Sequence, residues 1–342
     1  MTHRSSLMSG WSGLSIDEKC AVLKSEVSMP RYINPYTDFG FKRLFGTEPN
    51  KAILIAFLNA LFEEETDPKL EKHVITDLNY LPGEHLGILE TDRRAVFDVY
   101  CETAAGKKII VEMQNSYQQF YKDRSIYYAS IPIHEQGLKG AWNYELNAVY
   151  VVSIMNFSFS ADCLQSNDGL GNVSTADLKQ YYHTRVMLMD TRQKTIFSEK
   201  LTLLFLETKK FNKTENELET QLDKWMYLLK NISDMMEQPK TIFEPIFVQF
   251  MEQAEIARFT PQERRGYDVS MMAYRDVQNS VDTARNEGEE KGIKKGKAEA
   301  LINLMESMKM TIEKAMSALK IPEAEWDDYR NLVAQLEAHP AQ

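Results

Sequence analysis

The sequence predicts an α/β core followed by a helical C-terminal region, and three observations support this prediction. Up to about residue 212, short runs rich in Val, Ile and Tyr alternate with segments of helical periodicity. Later segments have a helical pattern alone, so strands and helices come first and helices follow. The 342 residues are 43% hydrophobic, which is enough for packed cores in about two domains.

The predicted elements follow in order along the chain. Asn50 precedes an apolar periodic segment that predicts a helix through Phe62, and Pro82-Gly83 ends a predicted strand over residues 73–81. A β-hairpin is predicted over Val96–Gln114. Beyond it, the patterns predict a helix over 117–137, strands over 146–157, 183–190 and 200–208, and a helix over 215–232.

Two features mark the C-terminal region. Gly288, Gly292 and Gly296 lie four residues apart among Glu–Lys pairs of the same spacing. This pattern favours a helix, although each glycine costs about 1 kcal/mol relative to alanine. Either the aligned glycines let another helix approach closely, or the segment is a solvated, half-flexible linker. The last segment predicts two short helices around Ile321-Pro322.

Charge and cysteine content limit the class of protein. The net charge of −10 means that contact with nucleic acid requires a local basic patch. Cys20, Cys101 and Cys163 are too far apart for a zinc site or a disulfide framework, and the histidines have no zinc-binding spacing. The N-terminus lacks the apolar centre of a signal peptide, and no apolar run reaches the ~20 residues of a membrane-spanning helix. We therefore expect a cytoplasmic protein without a membrane partner.

The hairpin VFDVYCETAAGKKIIVEMQ carries acidic residues within its apolar strands. A two-residue loop would place Asp98 opposite Met113 and Glu112 on the other face. A three-residue loop with a left-handed Gly106 pairs Asp98 with Glu112 and places Gln114 on the same face. The register with the three-residue loop fits better, because it collects the polar residues on one face of the hairpin. The other face is then uninterruptedly apolar: Phe97, Val99, Cys101, Ile109, Val111 and Met113.

Two opposed carboxylates on a mostly apolar sheet repel each other. The arrangement persists if a cation lies between them, if a basic group neutralises one, or if one is protonated. Oxygen ligands of this kind suit Mg²⁺ or Mn²⁺, which keep several waters and bind phosphate oxygens. The alternative is an exposed sheet face on which the acids are simply solvated.

Five stretches in one order carry a family resemblance: YINPYTDFGFKRLFG (32–46), LIAFLNALF (54–62), FDVYCETAAGKKIIVEMQ (97–114), DRSIYYAS (123–130) and LNAVYVVSIMNF (146–157). They resemble the PD-(D/E)xK nuclease superfamily, and within it the recombination-promoting nuclease and transposase family. The resemblance implies a restriction-endonuclease-like core, a mixed central sheet flanked by helices, over residues 31–255. It leaves an N-terminal extension over residues 1–30 and a helical region over 256–342.

The resemblance also implies roles for hairpin residues. Asp98 and Glu112 match the carboxylates that bind catalytic Mg²⁺, with the Met113 carbonyl as a further ligand. Gln114 occupies the third catalytic position, where the superfamily usually has Lys. An amide forms hydrogen bonds but carries no charge, so Gln114 can orient water or a phosphate oxygen without neutralising developing charge. Phe97 stands where the superfamily often has Pro.

Asp38 and Lys42 are candidates outside the hairpin. Asp38 resembles the acidic residue that the superfamily places on its first helix near the metal, and it is predicted to be catalytic. Lys42 lies four residues later, on the same helix face, and is predicted to bind substrate. The alternative is a helix N-terminal charge with an ordinary i,i+4 ion pair.

The helix after the hairpin supplies two further candidates. Tyr117, Tyr121, Arg124 and Tyr128 recur at helical spacing, so they are predicted to share one face. Arg124 is predicted to bind a substrate phosphate, because its planar guanidinium matches phosphate geometry. Tyr128 is predicted to contact the substrate, and packing of the tyrosines on the sheet is the alternative.

The resemblance and the residues that match it imply a Mg²⁺- or Mn²⁺-dependent DNA endonuclease that hydrolyses phosphodiester bonds in recombination or transposition. The alternative, kept open by Gln114, is a nuclease fold that binds nucleic acid or forms oligomers without turnover. A third hypothesis, an interaction scaffold, rests on the acidic charge and the helical tail. A homo-oligomer through the C-terminal helices is compatible with each.

Overall fold

The chain forms a six-stranded mixed sheet with helices packed on both faces. The computed structural model describes residues 30–65, 74–85, 95–137, 142–159 and 181–338. The chain divides into two compact units, Met1–Tyr274 and Arg275–Gln342, and the sheet belongs to the first. The predicted α/β core and the helical region after it are confirmed.

The described strands are β1 (Leu78–Tyr80), β2 (Glu84–His85), β3 (Ala95–Val96), β4 (Val99–Thr103), β5 (Lys108–Gln114), β6 (Val149–Met155), β7 (His183–Asp190) and β8 (Thr195–Glu207). The described helices are α1 (Asp38–Phe45), α2 (Lys51–Glu65), α3 (Tyr121–Glu135), α4 (Gln221–Asn231), α5 (Pro245–Ala254), α6 (Pro261–Met308), α7 (Ile312–Ala318) and α8 (Trp326–Ala338).

The sheet has the strand order β1-β4-β5-β6-β8-β7. Strand β4 pairs antiparallel with β1 and with β5. Strand β6 pairs parallel with β5 and with β8, and β7 pairs antiparallel with β8. Parallel neighbours cannot be joined by a tight turn, so the chain crosses from β5 to β6 through α3. A separate ribbon of β2 and β3 precedes the hairpin.

Alternation along the strands builds a core on each face of the sheet. On one face, Val99, Val111 and Ile154 pack against α1, α2, α4 and α5, around the buried Trp225. On the other face, strand residues including Tyr100 pack against α3. Because successive side chains of a strand point to opposite faces, one hairpin feeds both cores.

The second unit has its own small core. The C-terminal part of α6 contributes Ala298 and Leu301, and α7 and α8 contribute the remaining buried residues, Ala315, Met316, Tyr329 and Val333, with Ile321 between those two helices. The predicted pair of short helices around Ile321-Pro322 is therefore confirmed.

The predicted helix over 117–137 begins four residues later, at Tyr121, and the strand predicted over 73–81 is shortened to Leu78–Tyr80. The strand predicted over 200–208 extends back to Thr195. Of the predicted N-terminal extension, residues 1–29 lie outside the described part, as does residue 73. No helix among the described residues is both long and apolar enough to cross a membrane.

The glycine-spaced segment is part of α6. Lys291 pairs with Glu287 at 3.5 Å, and Lys294 pairs with Glu290 at 3.2 Å. A Cβ placed on Gly288, Gly292 or Gly296 would have no neighbour within 4 Å in the described part of the chain. The helical pattern is confirmed, and the described residues provide no close helix partner for the glycines.

Candidate active site

The β4–β5 hairpin determines which side chains meet. Its strands pair Val99 with Val111, a register that leaves Ala104, Ala105 and Gly106 in the loop. Gly106 has φ +76°, in the left-handed region that favours glycine. The three-residue loop and the register predicted from it are confirmed.

Continuing this register brings Asp98 beside Glu112. The Asp98 N–H donates to Glu112 Oε1 at 3.1 Å, and the Met113 N–H donates to Asp98 Oδ2 at 2.8 Å. Each hydrogen bond joins a carboxylate to the backbone of the opposite strand segment. The two acids, which we call the acid pair, are thereby held at one end of the hairpin.

Phe97 departs from the predicted alternation. It was expected on the face of Val99 and Cys101, but it packs with Tyr100 on the α3 face, its ring centroid 5.0 Å from that of Tyr128. The reason is that β4 begins only at Val99. Strict alternation does not extend through Asp98, so the residue before it need not follow the strand pattern.

Glu112 lies in an environment that disfavours its charge. The residue is 3% exposed. Burial, together with the charge of Asp98, raises the pKa of Glu112 to about 8, and the Asp98 N–H, Arg124 and Lys42 oppose the rise. The alternative of a solvated acid on an exposed sheet face is wrong for Glu112.

The pKa of Asp98 is also raised. Burial is the main cause, and the hydrogen bond from the Met113 N–H opposes it. The charge of Asp38 adds to the rise, whereas Lys42 and Arg124 reduce it. Two neighbouring acids that both resist ionisation form a site that a cation would stabilise.

Arg124 reaches the acid pair from α3. Its Nη2 lies 3.5 Å from Glu112 Oε2, and its Nη1 donates to Gln118 Oε1 at 2.9 Å. The guanidinium also lies 4.8 Å from the Tyr128 ring centroid. The structure thus brings together Arg124, Tyr128 and the acid pair. Gln118 was missed by sequence reasoning, because it is off the spacing that Tyr117, Tyr121, Arg124 and Tyr128 share.

Comparison with known proteins identifies a family for the chain. A family model described as PD-(D/E)XK nuclease family transposase matches residues 35–284. The chain belongs to this family. The match confirms the resemblance found in the sequence and the fold class inferred from it. No curated protein and no solved structure matches the chain.

Membership of the PD-(D/E)XK nuclease family transposases makes the chain a nuclease- or transposase-related protein and implies a DNA substrate. PD-(D/E)XK nucleases generally use divalent metal ions. The donor set at the acid pair fits such an ion, because two carboxylates supply hard oxygen ligands in a buried setting. Among the residues that the structure describes, no three His, Cys, Asp or Glu side chains form a metal-binding group. Two protein carboxylates suit Mg²⁺, which usually retains waters and takes phosphate oxygens.

Gln114, at the position where the superfamily usually has Lys, ends β5 two residues after Glu112. Its side-chain Nε2 donates to the Ser116 backbone carbonyl at 3.1 Å, and its backbone carbonyl accepts from the Asn156 N–H at 2.9 Å. Both bonds fix the position of the residue at the carboxyl end of two parallel strands. The side-chain carbonyl remains an acceptor that can face water or substrate.

Asp38 and Lys42 lie on α1 and form an ion pair of 2.7 Å, with side chains 65% and 45% exposed. The predicted shared helix face is therefore confirmed. Both residues line a cavity of about 630 Å³ together with Asp98. Asp38 affects Asp98 through its charge, and the structure places it beside the acid pair without making it a third member.

The tyrosines of the predicted stripe divide into two groups. Tyr117 lies before α3 and is half exposed, its ring packed edge-on against Phe157. Tyr121 is buried, in agreement with the packing alternative, whereas Tyr128 is partly exposed beside Arg124. Tyr128 therefore lies beside Arg124 with part of its side chain exposed, and its contact with substrate stays a prediction.

The first turns of α6 form one wall of the cavity, which the sequence did not indicate. Gly266, Val269, Ser270 and Ala273 line it opposite α1. The Phe39 N–H donates to Ser270 Oγ at 3.1 Å. No local pattern links these segments, because the residues in contact are more than 200 positions apart.

Proposed function

We propose that the protein is a Mg²⁺- or Mn²⁺-dependent DNA endonuclease that hydrolyses phosphodiester bonds during recombination or transposition. The observation that supports this proposal is the acid pair, in which Glu112 is 3% exposed and hydrogen-bonded to the backbone of Asp98. A buried pair of acids with raised pKa values is unfavourable without a cation. Family membership supports DNA as the substrate.

Asp98 and Glu112 would hold the metal, with the Met113 carbonyl as the further predicted ligand. The chemistry that a divalent ion supplies in such a site is polarisation of a phosphoryl oxygen and activation of water for attack. The acids must be ionised to bind the ion. The hydrogen bonds from the Asp98 and Met113 N–H groups, at 3.1 and 2.8 Å, orient the two carboxylates for this task.

Arg124 is proposed to bind the phosphate that is cut. Its guanidinium lies beside Glu112 and is held by Gln118 and the Tyr128 ring. These contacts fix a planar donor at the edge of the acid pair, where negative charge accumulates as the phosphodiester is attacked. Tyr128 holds the guanidinium and is proposed to contact the substrate beside it.

Gln114 and α1 complete the proposed site. The Gln114 side chain orients the attacking water through hydrogen bonds, as an amide without charge can do. Lys42 is proposed to contact a neighbouring phosphate when it leaves Asp38. Asp38 is proposed to tune the acid pair, since its charge raises the pKa of Asp98.

A plasmid assay tests the proposal. The purified full chain should nick or cut supercoiled DNA with Mg²⁺ or Mn²⁺, and EDTA or Asp98→Ala should abolish cutting. Glu102→Gln is a matched control, because Glu102 lies on the same hairpin but pairs with Lys108 at 3.0 Å, away from the acid pair. Cutting that survives Asp98→Ala would contradict the proposal.

A second candidate function is DNA binding without turnover. It is favoured by Gln114, which lacks the positive charge of the usual Lys and donates to the Ser116 carbonyl. This function predicts DNA retention that is independent of Mg²⁺, with no cleavage in any metal. A metal series that measures binding and cutting on the same DNA separates the two candidates.

A further inference from the structure

The cavity between α1 and α6 extends from Asp98 of the acid pair into a largely apolar recess. Its volume is about 630 Å³, within the ~300–1,000 Å³ typical of small-molecule sites. Asp98 lies on its wall, so whatever binds at the acid pair borders the recess. All of its lining residues belong to the first compact unit.

The α6 side of the recess is a helix face made of small and apolar residues. Gly266, Val269, Ser270 and Ala273 recur at i, i+3, i+4 and i+7 and therefore share this face. Val269 is 67% exposed, an apolar side chain turned to the open recess. At Gly266 an added Cβ would lie 3.1 Å from the Phe39 ring, so the absence of a side chain lets α1 and α6 approach closely.

The charges around the recess indicate which ligands suit it. Lys42 pairs with Asp38, and Arg43 pairs with Glu263, so the basic groups on the wall are already balanced by acids. Asp98 adds a further acid. The recess therefore offers a free anion no unpaired positive charge. An uncharged, flat group that is covalently linked to a phosphate at the acid pair suits both this charge balance and the apolar wall.

A second cavity also borders Asp98. This cavity, of about 260 Å³, shares Lys42, Gly46 and Asp98 with the first and continues towards Tyr80 and Gly83. A chain of nucleotides can therefore pass Asp98 with one phosphate at the acid pair. A base that is still paired would have to bring its complementary strand with it, whereas a single nucleoside would not.

We infer that the recess binds one unpaired nucleoside, base and sugar, adjacent to the phosphate that is cut. The inference rests on the proposed function and adds a substrate class, single-stranded DNA or DNA with an extruded base. Extruding a base requires less free energy where pairing is already absent or mismatched, so such DNA is the preferred substrate. The apolar wall of α6 contacts the base without reading its sequence.

Binding by the full chain in EDTA tests the inference without cleavage. Fluorescence anisotropy compares an oligonucleotide of about 12 nucleotides as a single strand with the same strand in a perfect duplex. Val269→Glu places a charge in the recess. Met272→Glu is its matched control, because Met272 is 64% exposed on the same helix and does not line the recess. Ala273→Leu narrows the recess without adding charge.

We expect wild-type protein to bind the single strand more tightly than the duplex. Relative to Met272→Glu, Val269→Glu should weaken single-strand binding about tenfold and duplex binding at most about twofold. Ala273→Leu should change binding in the same direction. Equal affinities for the two Glu variants, or equal losses on both DNA forms, would overturn the inference.

The plasmid assay keeps this result separate from the proposed function. If Mg²⁺-dependent cutting is present and the Val269→Glu loss is absent, the recess inference fails and the nuclease proposal remains. If the selective loss is present without cutting in any metal, the recess stands as a binding site and the nuclease proposal fails.

Discussion

Two buried carboxylates of the first unit, one in β5 and one at the start of α4, have opposite surroundings. Asp223 is fully buried and accepts hydrogen bonds from Lys213 Nζ at 2.7 Å and from the Tyr182 hydroxyl at 2.9 Å. It also accepts from the Glu219 and Thr220 N–H groups at 3.0 and 3.2 Å. Burial alone would raise the pKa of Asp223, but these four donors outweigh it and hold the pKa below its usual value.

Glu112 is buried to a similar extent, yet one backbone N–H at 3.1 Å and one guanidinium at 3.5 Å are the contacts described at its carboxylate. Its pKa is raised, mainly by burial. Asp223 is thus surrounded by donors that stabilise its charge, whereas Glu112, the proposed metal ligand, has fewer donors than a carboxylate can accept.

The largest effect should come from a substitution that removes the charge of Glu112, the proposed metal ligand, and keeps the shape of its side chain. Glu112→Gln should reduce metal-dependent DNA cleavage about 10³-fold, because the metal stabilises the transition state by several kcal/mol. The folded protein should be no less stable in EDTA. Plasmid cleavage and urea unfolding of the same preparation check both statements, and cleavage near the wild-type level would remove Glu112 from the metal site.

Asp223→Ala should instead reduce the stability of the fold and leave DNA cleavage almost unchanged. It leaves Lys213 without its buried partner and removes the N-terminal capping of α4 through Thr220 and Glu219, so the free energy of unfolding should fall by about 3 kcal/mol. Cleavage per folded molecule should stay close to wild type. Urea denaturation gives the first quantity, and activity corrected for the folded fraction gives the second. An Asp223→Ala protein as stable as wild type would contradict the role of Asp223 as a carboxylate that stabilises the fold.

The raised pKa of Glu112 makes metal-free stability depend on pH. The folded-state pKa of about 8 exceeds the ordinary value of 4.5, so the folded protein favours the protonated acid. Its stabilising contribution is complete below about pH 4.5 and is lost as the pH rises through about 8. Melting in EDTA from pH 5 to 9 measures the loss, and Glu112→Gln should flatten the curve relative to wild type.

A smaller effect should appear when metal is added at pH 8. Binding of Mg²⁺ at about ten times its Kd should stabilise the folded state by about 1.4 kcal/mol and raise the melting temperature. Glu112→Gln should lose this rise, whereas Glu102→Gln should keep it, since Glu102 pairs with Lys108 outside the acid pair. An equal rise in melting temperature for wild type, Glu112→Gln and Glu102→Gln would mean that the ion binds away from the acid pair.

The predictable part of the site is local in sequence. The loop length and Gly106 together determine the hairpin register, and the register brings Asp98 beside Glu112. Helical spacing likewise places Arg124 and Tyr128 on one face of α3, and Asp38 and Lys42 on one face of α1. Each of these relations depends on strand or helix geometry over a few residues.

The parts that the sequence did not reveal depend on contacts between distant segments. Arg43 of α1 pairs with Glu263 of α6, 220 residues away. The donors around Asp223 include Tyr182, 41 residues away. The position of Phe97 depends on where β4 begins, because alternation predicts faces only within a regular strand. None of these contacts has a periodic signal in one sequence.

The turn at Ala104-Ala105-Gly106 has a consequence for the gene. In-frame loss of one codon there would favour the shorter loop, which turns Glu112 away from Asp98. Replacement of Ala104 or Ala105, both exposed, keeps the loop at three residues. The codons for Ala104 and Ala105 can therefore be substituted far more freely than the number of codons in this turn can change.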